Sequence, residues 1–520
     1  MDTRTLHLLQ QTAAYFSAQR QRAYLVGGSV RNLLLDEPCL DWDIVTDGSA
    51  AALARRLADT LGGHYAHMHE KASRVVVKNG QEVSFDIAPL MGHTIEYDLR
   101  QRDFTINAIA VPLADAVQQL EAAADDENVA ASLVGARGGA GARLATRLRD
   151  KLIDPLHGAA DIGAQRLRAA SSDVFRHDPL RMLRAVRLRT RYQLTIDNWT
   201  QSLMMRDAAL LPSVAAERIH DELYAILEPV GATEQLRFLD ALGLLTVLIP
   251  EFTAARDMPQ PSPHHWDVLE HSLETVGTLE QLALLLQGDV EQIRQSKWET
   301  SDGDLVEIQT LLHEAEEQGI FQLALLAAPR MKLAALLHDI GKPATYMTDD
   351  EGLVHFYGHP QIGVPLAQQI MKRLTVSKHD SRLVQQVTAH HMRPGQLGQV
   401  SPVTPRAIRR YFVDLGHTGI YVALFSLADH LATQGPQPLT ASWERHVSVV
   451  RLLLTSYIRE RESILPPQLV GAEELMRRLK LEPGPIVGQL LEQLAEAQAD
   501  GLIHSKEEAF WLAEEYLLKK

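Results

Sequence analysis

In the segment DWDIVT, Asp41 and Asp43 alternate with Trp42 and Ile44. A strand here sets both carboxylates on one face, close enough to share divalent cations. Upstream, AYLV runs into Gly27-Gly28-Ser29 and then a helical pattern through Val30, Leu33 and Leu34. Two glycines at a strand-to-helix turn let backbone N–H groups approach a phosphate, and the helix N-terminus adds positive potential. A glycine turn, a helix and then D-x-D suit phosphoryl transfer, where cations activate the attacking hydroxyl and neutralise the leaving pyrophosphate. Asp86, in VSFDIA on a neighbouring strand, is the candidate third carboxylate.

A second set of chemistry-bearing residues lies between His264 and Ala432, in HHWDVLEHSLETV, LLHDIGKP, HFYGHPQIG, VTAHHMRP and SLADHLA. His338 and Asp339, with His271 and Asp429 from distant segments, supply four N/O ligands for a divalent transition metal. His359, His390 and His391 are candidates for completing a second site, and Lys342 for holding a phosphate. A lone helical histidine is ordinarily a satisfied core residue, but polar islands recurring on otherwise apolar helices ask for another account.

A third feature is FRHDPLRMLRAVRLRTRY. Asp178 suits an N-cap and Pro179 the first helical position. Arg181, Arg184, Arg187 and Arg191 then fall within an arc of ~120°, opposite Met182, Leu183 and Val186. One face packs and the other can meet phosphate or a base.

A chain of 520 residues exceeds one hydrophobic core, so several domains are expected. Its composition, 46% hydrophobic and 22% charged, excludes disordered and fibrous classes. No apolar run approaches the roughly 18 residues of a membrane span, and the first residues read as an amphipathic helix rather than a signal peptide. Cys39 is the single cysteine, so no intramolecular disulfide is expected, and a cytoplasmic location fits. The net charge of −15 argues against a polyanionic partner, but Arg143 to Arg191 holds twelve Lys/Arg against five Asp.

AYLVGG, WDIVT, SRVVVKN, EVSFDIAPL and FTINAIAVPL read as strands of a small sheet, with helical patterns between them. Residues from about 121 to 148 are rich in Ala, Gly and Asp without periodicity and read as an insert; a polar, acidic stretch at about 286–305 reads as another. Beyond Asp154 the chain is almost wholly helical in pattern, and the proline-bearing segments 259–263 and 466–467 read as joints. No fixed-period repeat is present.

The glycine turn with D-x-D resembles the catalytic motif of polymerase β-like nucleotidyltransferases, and more closely that of the bacterial tRNA nucleotidyltransferase/poly(A) polymerase family. Family members read GG-x-VRD, whereas Asn32 follows Arg31 here. DLRQRDFTINAIAV, DPLHGAADI and SVAAERIHDELYAIL resemble further family segments, with Gln101 and His177 replacing the usual Arg and Glu. The resemblance implies Mg2+ at Asp41 and Asp43. It also implies a nucleotide site comprising Gly27, Gly28, Ser29, Arg31, Arg102 and Asn107. In the neck it implies base reading by Asp178 and Arg181, beside Arg184 and Arg187. The histidine islands resemble the HD phosphohydrolase superfamily, which implies a metal at His271, His338, Asp339 and Asp429.

The fold implied is α+β: a nucleotidyltransferase head with a small sheet (1–150), then a helical neck (151–258), an HD domain (259–445) and a helical tail (446–520). The activity implied is CCA addition to tRNA 3′ ends from CTP and ATP. CC-only, A-only and poly(A) addition remain open, as does an HD hydrolase with a non-catalytic RNA-binding head.

Overall fold

In this computed structural model the described residues are 3–69, 72–124, 147–399, 402–437 and 439–518. They form two compact units, Met1–Ala215 with Leu242–Leu244, and Ala216–Ala241 with Leu245–Lys520. The neck expected at 151–258 is therefore divided between them. Of the first expected insert, 121–124 continue a helix, Leu113–Ala124, and 125–146 lie outside the described residues.

The first unit is built on six strands: β1 (Ala23–Val26), β2 (Asp41–Thr46), β3 (His64–His69), β4 (Ala72–Asn79), β5 (Gln81–Pro89) and β6 (Ala110–Pro112). They form one sheet in the order β3-β4-β5-β2-β1-β6, in which β2 and β5 alone are parallel. A parallel pair needs a long crossover, here supplied by helix Ala50–Leu61 and the β3–β4 hairpin. That helix buries Leu53, Ala54 and Leu57, leaves Arg55, Arg56 and Asp59 exposed, and packs on β4. Gly62 stops it in the left-handed conformation at φ 64°.

The segment FTINAIAVPL is not one strand. It makes a short 3-10 turn at Thr105–Asn107 before β6. Every residue from Phe104 to Val111 is buried, so no alternation marks where extended chain begins. The turn is pinned by Thr105 Oγ1, which donates to Asp161 Oδ2 at 2.7 Å. The neck helix expected from Pro179 begins at Arg181 and ends at Tyr192. Asp178 Oδ1 accepts the Leu180 N–H at 3.2 Å, which holds the preceding residues in a turn.

The second unit is helical apart from a two-stranded hairpin, Met347–Thr348 with Val354–His355. Four helices carry the histidine islands or lead into them: Val268–Gln287, Pro329–Leu337, Lys378–His390 and Thr418–Gln434. They pack against one another through buried leucine, valine and alanine. Residues 286–305 contain a further helix, Val290–Gln295, N-capped by Asp289, with Ile293 buried. The proline segment 259–263 lies inside this unit rather than at a joint between units. The tail has its own core, including Val470, Leu475, Leu490, Leu494 and Ala509. Among the described residues no single helix is long and apolar enough to cross a membrane.

Lys332, in the helix Pro329–Leu337, is 1% exposed. Its ammonium meets Glu280 Oε1 at 2.6 Å and donates to the carbonyls of Leu227 and Pro229 at 2.6 and 2.9 Å. Glu280 also accepts the backbone N–H groups of Gly231 and Ala232, which open the helix Ala232–Ala241. Three helices thus meet on one satisfied buried pair. Lys332→Met strands the carboxylate and is expected to cost about 3–5 kcal/mol. Urea unfolding of the full chain, followed by helical circular dichroism, measures it; a loss below about 1 kcal/mol would assign the pair no structural weight.

Candidate active site and metal centre

The parallel register sets Asp43 directly beside Asp86 and Asp41 beside Ser84. The three expected carboxylates therefore share one face of the two central strands of the sheet. Ser84 Oγ donates to the Asp41 carboxylate. Ser29 Oγ donates to the Asp41 carbonyl at 3.3 Å and accepts the Asp43 N–H at 2.6 Å, which ties the glycine turn to β2. Gly28 N–H donates to Asp43 Oδ2 at 3.2 Å. The helix expected after the turn incorporates it, spanning Gly27–Leu35.

Gly27 has φ +63°, and a Cβ there would stand 2.8 Å from Arg102 Nη1. A Cβ on Gly28 would stand 3.3 Å from Asp43 Oδ2. The turn is glycine because the carboxylate and the guanidinium come this close to the backbone. Burial pushes the Asp43 carboxyl above the ordinary range, and neighbouring Asp86 adds to this against the opposing pull of Arg102. A half-buried carboxylate of raised proton affinity, beside a second one, fits a cation partner.

Arg74 was not foreseen. Its guanidinium grips Asp86 with two bonds of 2.7 Å, from Nε to Oδ1 and from Nη2 to Oδ2. Arg74 sits opposite Asp86 in the antiparallel β4–β5 register, which sequence alone does not specify. Arg102 is held by Asp98 at 3.0 Å and faces Asp43 electrostatically.

Arg31 is buried and donates to Asn107 Oδ1 at 2.6 Å and to the Tyr192 hydroxyl at 2.7 Å, with its guanidinium 4.5 Å from the Tyr192 ring centroid. Asn32 Oδ1 accepts from Arg31 Nη2 at 2.9 Å and from Tyr192 at 3.0 Å, so the amide supplies the acceptor where the family has aspartate. Asn107 Nδ2 donates to Asp103 at 2.9 Å, so both ends of this side chain are engaged within the protein. Asp103 in turn pairs with Arg184 at 3.1 Å. Burial alone would raise its pKa, but Arg184, the Asn107 amide and Arg181 lower it below the usual range. Arg181 reaches the Gln101 and Val174 carbonyls at 3.4 and 3.5 Å. Asp178 and Arg181 lie at the start of the same helix whose other end, Tyr192, anchors Arg31.

In the second unit His271, His338, Asp339 and Asp429 converge as expected. His271 Nε2 lies 3.0 Å from Asp429 Oδ1, and His338 Nε2 lies 3.1 Å from Asp339 Oδ2 and 3.4 Å from Asp429 Oδ1. His359 Nε2 stands 3.2 Å from Asp339 Oδ1 and 3.3 Å from His391 Nε2. His390 is not part of the cluster; it is the last residue of its helix, half-buried and affected by Arg393.

The Nδ1 atoms of His338, His359 and His391 meet the carbonyls of Ala335, Phe356 and Thr388 at 2.8–3.0 Å. Each Nε2 is turned inward, and in the neutral ring it is the nitrogen left without a proton, the arrangement of metal-ligating imidazoles. His271 Nε2, His338 Nε2 and both Asp339 oxygens are buried without a hydrogen bond. Separations near 3 Å are those of ligands sharing an ion through bonds of about 2.1 Å. The donor set fits a first-row divalent metal.

Burial would lower the His338 pKa, but flanking Asp339 and Asp429 raise it to about 10, whereas burial and the charge on His338 push His391 down to about 3. Lys342 Nζ contacts Asp339 Oδ2 at 2.5 Å and Gln260 Oε1 at 2.6 Å. Gln260 and His264, which had no sequence-based role, come from the proline segment. The His264 ring lies 5.5 Å from His271, and burial, with Lys342, lowers its pKa to about 4.

Comparison with known proteins agrees with this order of parts. The chain matches the "Poly A polymerase head domain" over residues 23–94, the "Probable RNA and SrmB- binding site of polymerase A" over 193–256, and the HD domain over 268–433. It is 31% identical over 493 residues to an A-adding tRNA nucleotidyltransferase of Deinococcus radiodurans, covering 94% of each chain. It is 28% identical over 500 residues to a CC-adding tRNA nucleotidyltransferase of Geobacter sulfurreducens, covering 96% of this chain and 92% of the relative. A solved complex of a CCA-adding enzyme with CTP shares the fold at a TM-score of 0.60 and 19% identity, over 99% of this chain and 96% of the other. The chain therefore belongs to the bacterial tRNA nucleotidyltransferase/poly(A) polymerase family and is a nucleotidyltransferase that carries an HD domain.

Proposed function

We propose that the protein adds CCA to tRNA 3′ ends from CTP and ATP without a nucleic-acid template. The observation that carries this reading is the half-buried Asp43, set beside Asp86 and bonded to the Gly28 N–H of a glycine turn. Asp41 and Asp43 would hold magnesium, whose chemistry is to activate the terminal hydroxyl and neutralise the departing pyrophosphate. The Arg102 guanidinium, near Gly27, and the helix N-terminus at Gly27–Ser29 are placed to hold the triphosphate, although the Gly27 and Gly28 N–H groups are bonded within the chain to Ile109 and Asp43. Arg31 and Asn107 act by fixing the floor of this site. Asp178 and Arg181 read the base, the carboxylate accepting from an amino group and the guanidinium donating to ring acceptors; Arg184 and Arg187 share their helix.

A second reading, A-only addition, is favoured by the name of the Deinococcus relative. Incubating tRNA ending at the discriminator base, and tRNA ending in CC, with CTP, ATP or both, then sequencing the 3′ ends, separates the readings. Cytidines followed by adenosine support CCA addition, and adenosine on tRNA ending in CC alone supports the other. We also propose that the HD cluster holds a divalent transition metal and hydrolyses small phosphodiesters, supported by its orphaned inward-facing ligand atoms. Such a metal would supply an activated water, with Lys342 beside it to receive phosphate.

Asp43→Ala is expected to lower addition of both C and A by on the order of a hundredfold or more, because charge stabilisation at the reacting phosphate is lost. Filter binding should find tRNA affinity nearly unchanged, and near-normal turnover would defeat the assignment. Arg181→Ala is expected to cost about 1–3 kcal/mol of discrimination, read as the ratio of CTP to UTP and GTP incorporation on one tRNA. A uniform rate loss with an unchanged ratio would leave Arg181 no part in base reading.

For the HD centre the expected signature is a proton. His338 is held protonated to about pH 10 by Asp339 and Asp429. Its raised pKa stabilises the metal-free fold fully below the unfolded value near 6.5, and this contribution disappears as pH rises through about 10. Metal must displace that proton, so affinity should rise about tenfold per pH unit through neutrality. Calorimetry of Co2+ binding in two buffers of different ionisation heat should find about one proton released per metal. Asp339→Ala should abolish metal binding and hydrolysis of 2′,3′-cyclic nucleotides while sparing nucleotide addition. Absence of metal from protein purified without chelator, and of binding on titration, would remove the centre.

A further inference from the structure

We propose that a cavity in the second unit, at the far end of the metal-bearing helices, binds a nucleoside phosphate. The cavity is an open hollow of about 540 Å³, within the range that holds a small organic ligand. Its polar wall carries Arg330, His379, Arg382 and Gln386, and an aromatic wall carries Phe321 and Tyr421. Arg382 is exposed and, among the described residues, has no hydrogen bond or ion pair. Arg330 is steadied by Asp380 at 3.4 Å, yet its Nε is buried with no hydrogen-bond partner.

Asp380 offsets part of the Arg330 charge and also meets His379 at 3.2 Å and the Tyr224 hydroxyl at 3.3 Å, so the uncompensated charge of this wall is that of Arg382. Two guanidiniums with fork geometry therefore line a concave surface in a chain of net charge −15. A phosphate is the anion that fits them bidentately. The aromatic wall is equally prepared. The Phe321 and Tyr421 rings lie 4.7 Å apart, and Tyr421 is fixed because its hydroxyl donates to the Gln322 carbonyl and accepts the Gln322 N–H. Phe321 is buried and backs the half-buried Tyr421, whose ring beside a guanidinium suits a base attached to its phosphate, whereas a bare oxyanion would leave it unused.

The cavity is separate from the metal cluster but built on the same rods. Arg330 lies on the helix that leads to His338, Arg382 on the helix that leads to His391, and Tyr421 on the helix that carries Asp429. Eight or nine residues separate the members of each pair, roughly 12–14 Å along each helix. A ligand here would sit where three helices begin, and the metal ligands where the same helices finish or run on.

The test uses the full chain in EDTA, which silences metal-dependent nucleotide binding elsewhere, and radiolabelled AMP in equilibrium dialysis. One AMP per chain is expected, with affinity lowered at least about tenfold by Arg382→Ala, an exposed position at which the thermal midpoint should not move. Inorganic phosphate and adenosine should each compete more weakly than unlabelled AMP. Parent-like AMP binding by the Arg382→Ala protein would overturn the proposal. So would binding that is lost in Arg102→Ala instead, since that places the nucleotide in the head. Phosphate competing as well as AMP would reduce the cavity to an anion site. A loss in Arg382→Ala confined to binding of a short RNA hairpin, with no AMP bound, would make it an RNA backbone contact; either result overturns the nucleotide reading.

Discussion

Parallel pairing of Asp41–Thr46 with Ser84–Pro89 is the constraint from which the head is built. Because parallel neighbours cannot be joined by a tight turn, the chain must leave the sheet, cover it with Ala50–Leu61 and return through a hairpin. The same pairing brings Asp86 alongside Asp43, although the two are far apart in sequence. A slip of one residue would turn the Asp41 and Asp43 side chains to the face now occupied by Trp42 and Ile44. Trp42, fully buried, resists that slip through its apolar area as much as the backbone ladder does.

Both centres gather carboxylates, half-buried or exposed in the head and buried at Asp339, and each compensates them differently. In the head the neighbours are guanidiniums, which keep their charge at any accessible pH: Arg74 on Asp86, and Arg102 beside Asp43. In the HD cluster the neighbours are imidazoles, which can exchange a proton for a metal, together with the Lys342 ammonium on Asp339. The head carboxylates also lie nearer solvent, Asp41 being exposed, whereas Asp339 is 1% exposed. A reactant as large as a nucleoside triphosphate with an RNA end needs the open arrangement; a tightly held ion suits the closed one.

What the sequence made legible was local chemistry with a period. D-x-D alternation, the glycine turn and the arginine face of Arg181–Tyr192 each follow from one element's geometry. The histidine islands were legible because polar groups stand out on apolar helices. Arg74 was not legible, since its partner depends on register between strands. His390 and His391 could not be ranked, because adjacent helical positions differ by ~100° and only the packing shows which one faces inward. Residues 286–305 read as aperiodic because a six-residue helix held by an Asp cap and one buried isoleucine leaves too short a pattern. The Pro259–Pro263 segment looked like punctuation, yet it delivers Gln260 and His264 to the cluster.

The bidentate grip of Arg74 on Asp86 has a consequence for how the protein is made. With that carboxylate neutralised by a side chain and His338 carrying a proton between two others, neither centre depends on a cation to offset buried like charge. If each centre takes a metal, the chain could fold first and be metallated afterwards, unlike small zinc domains whose folding energy is the metal's own. Newly synthesised protein would then be a durable apoenzyme, and the ion at each centre would be chosen by cellular supply and exchange rather than by the act of folding.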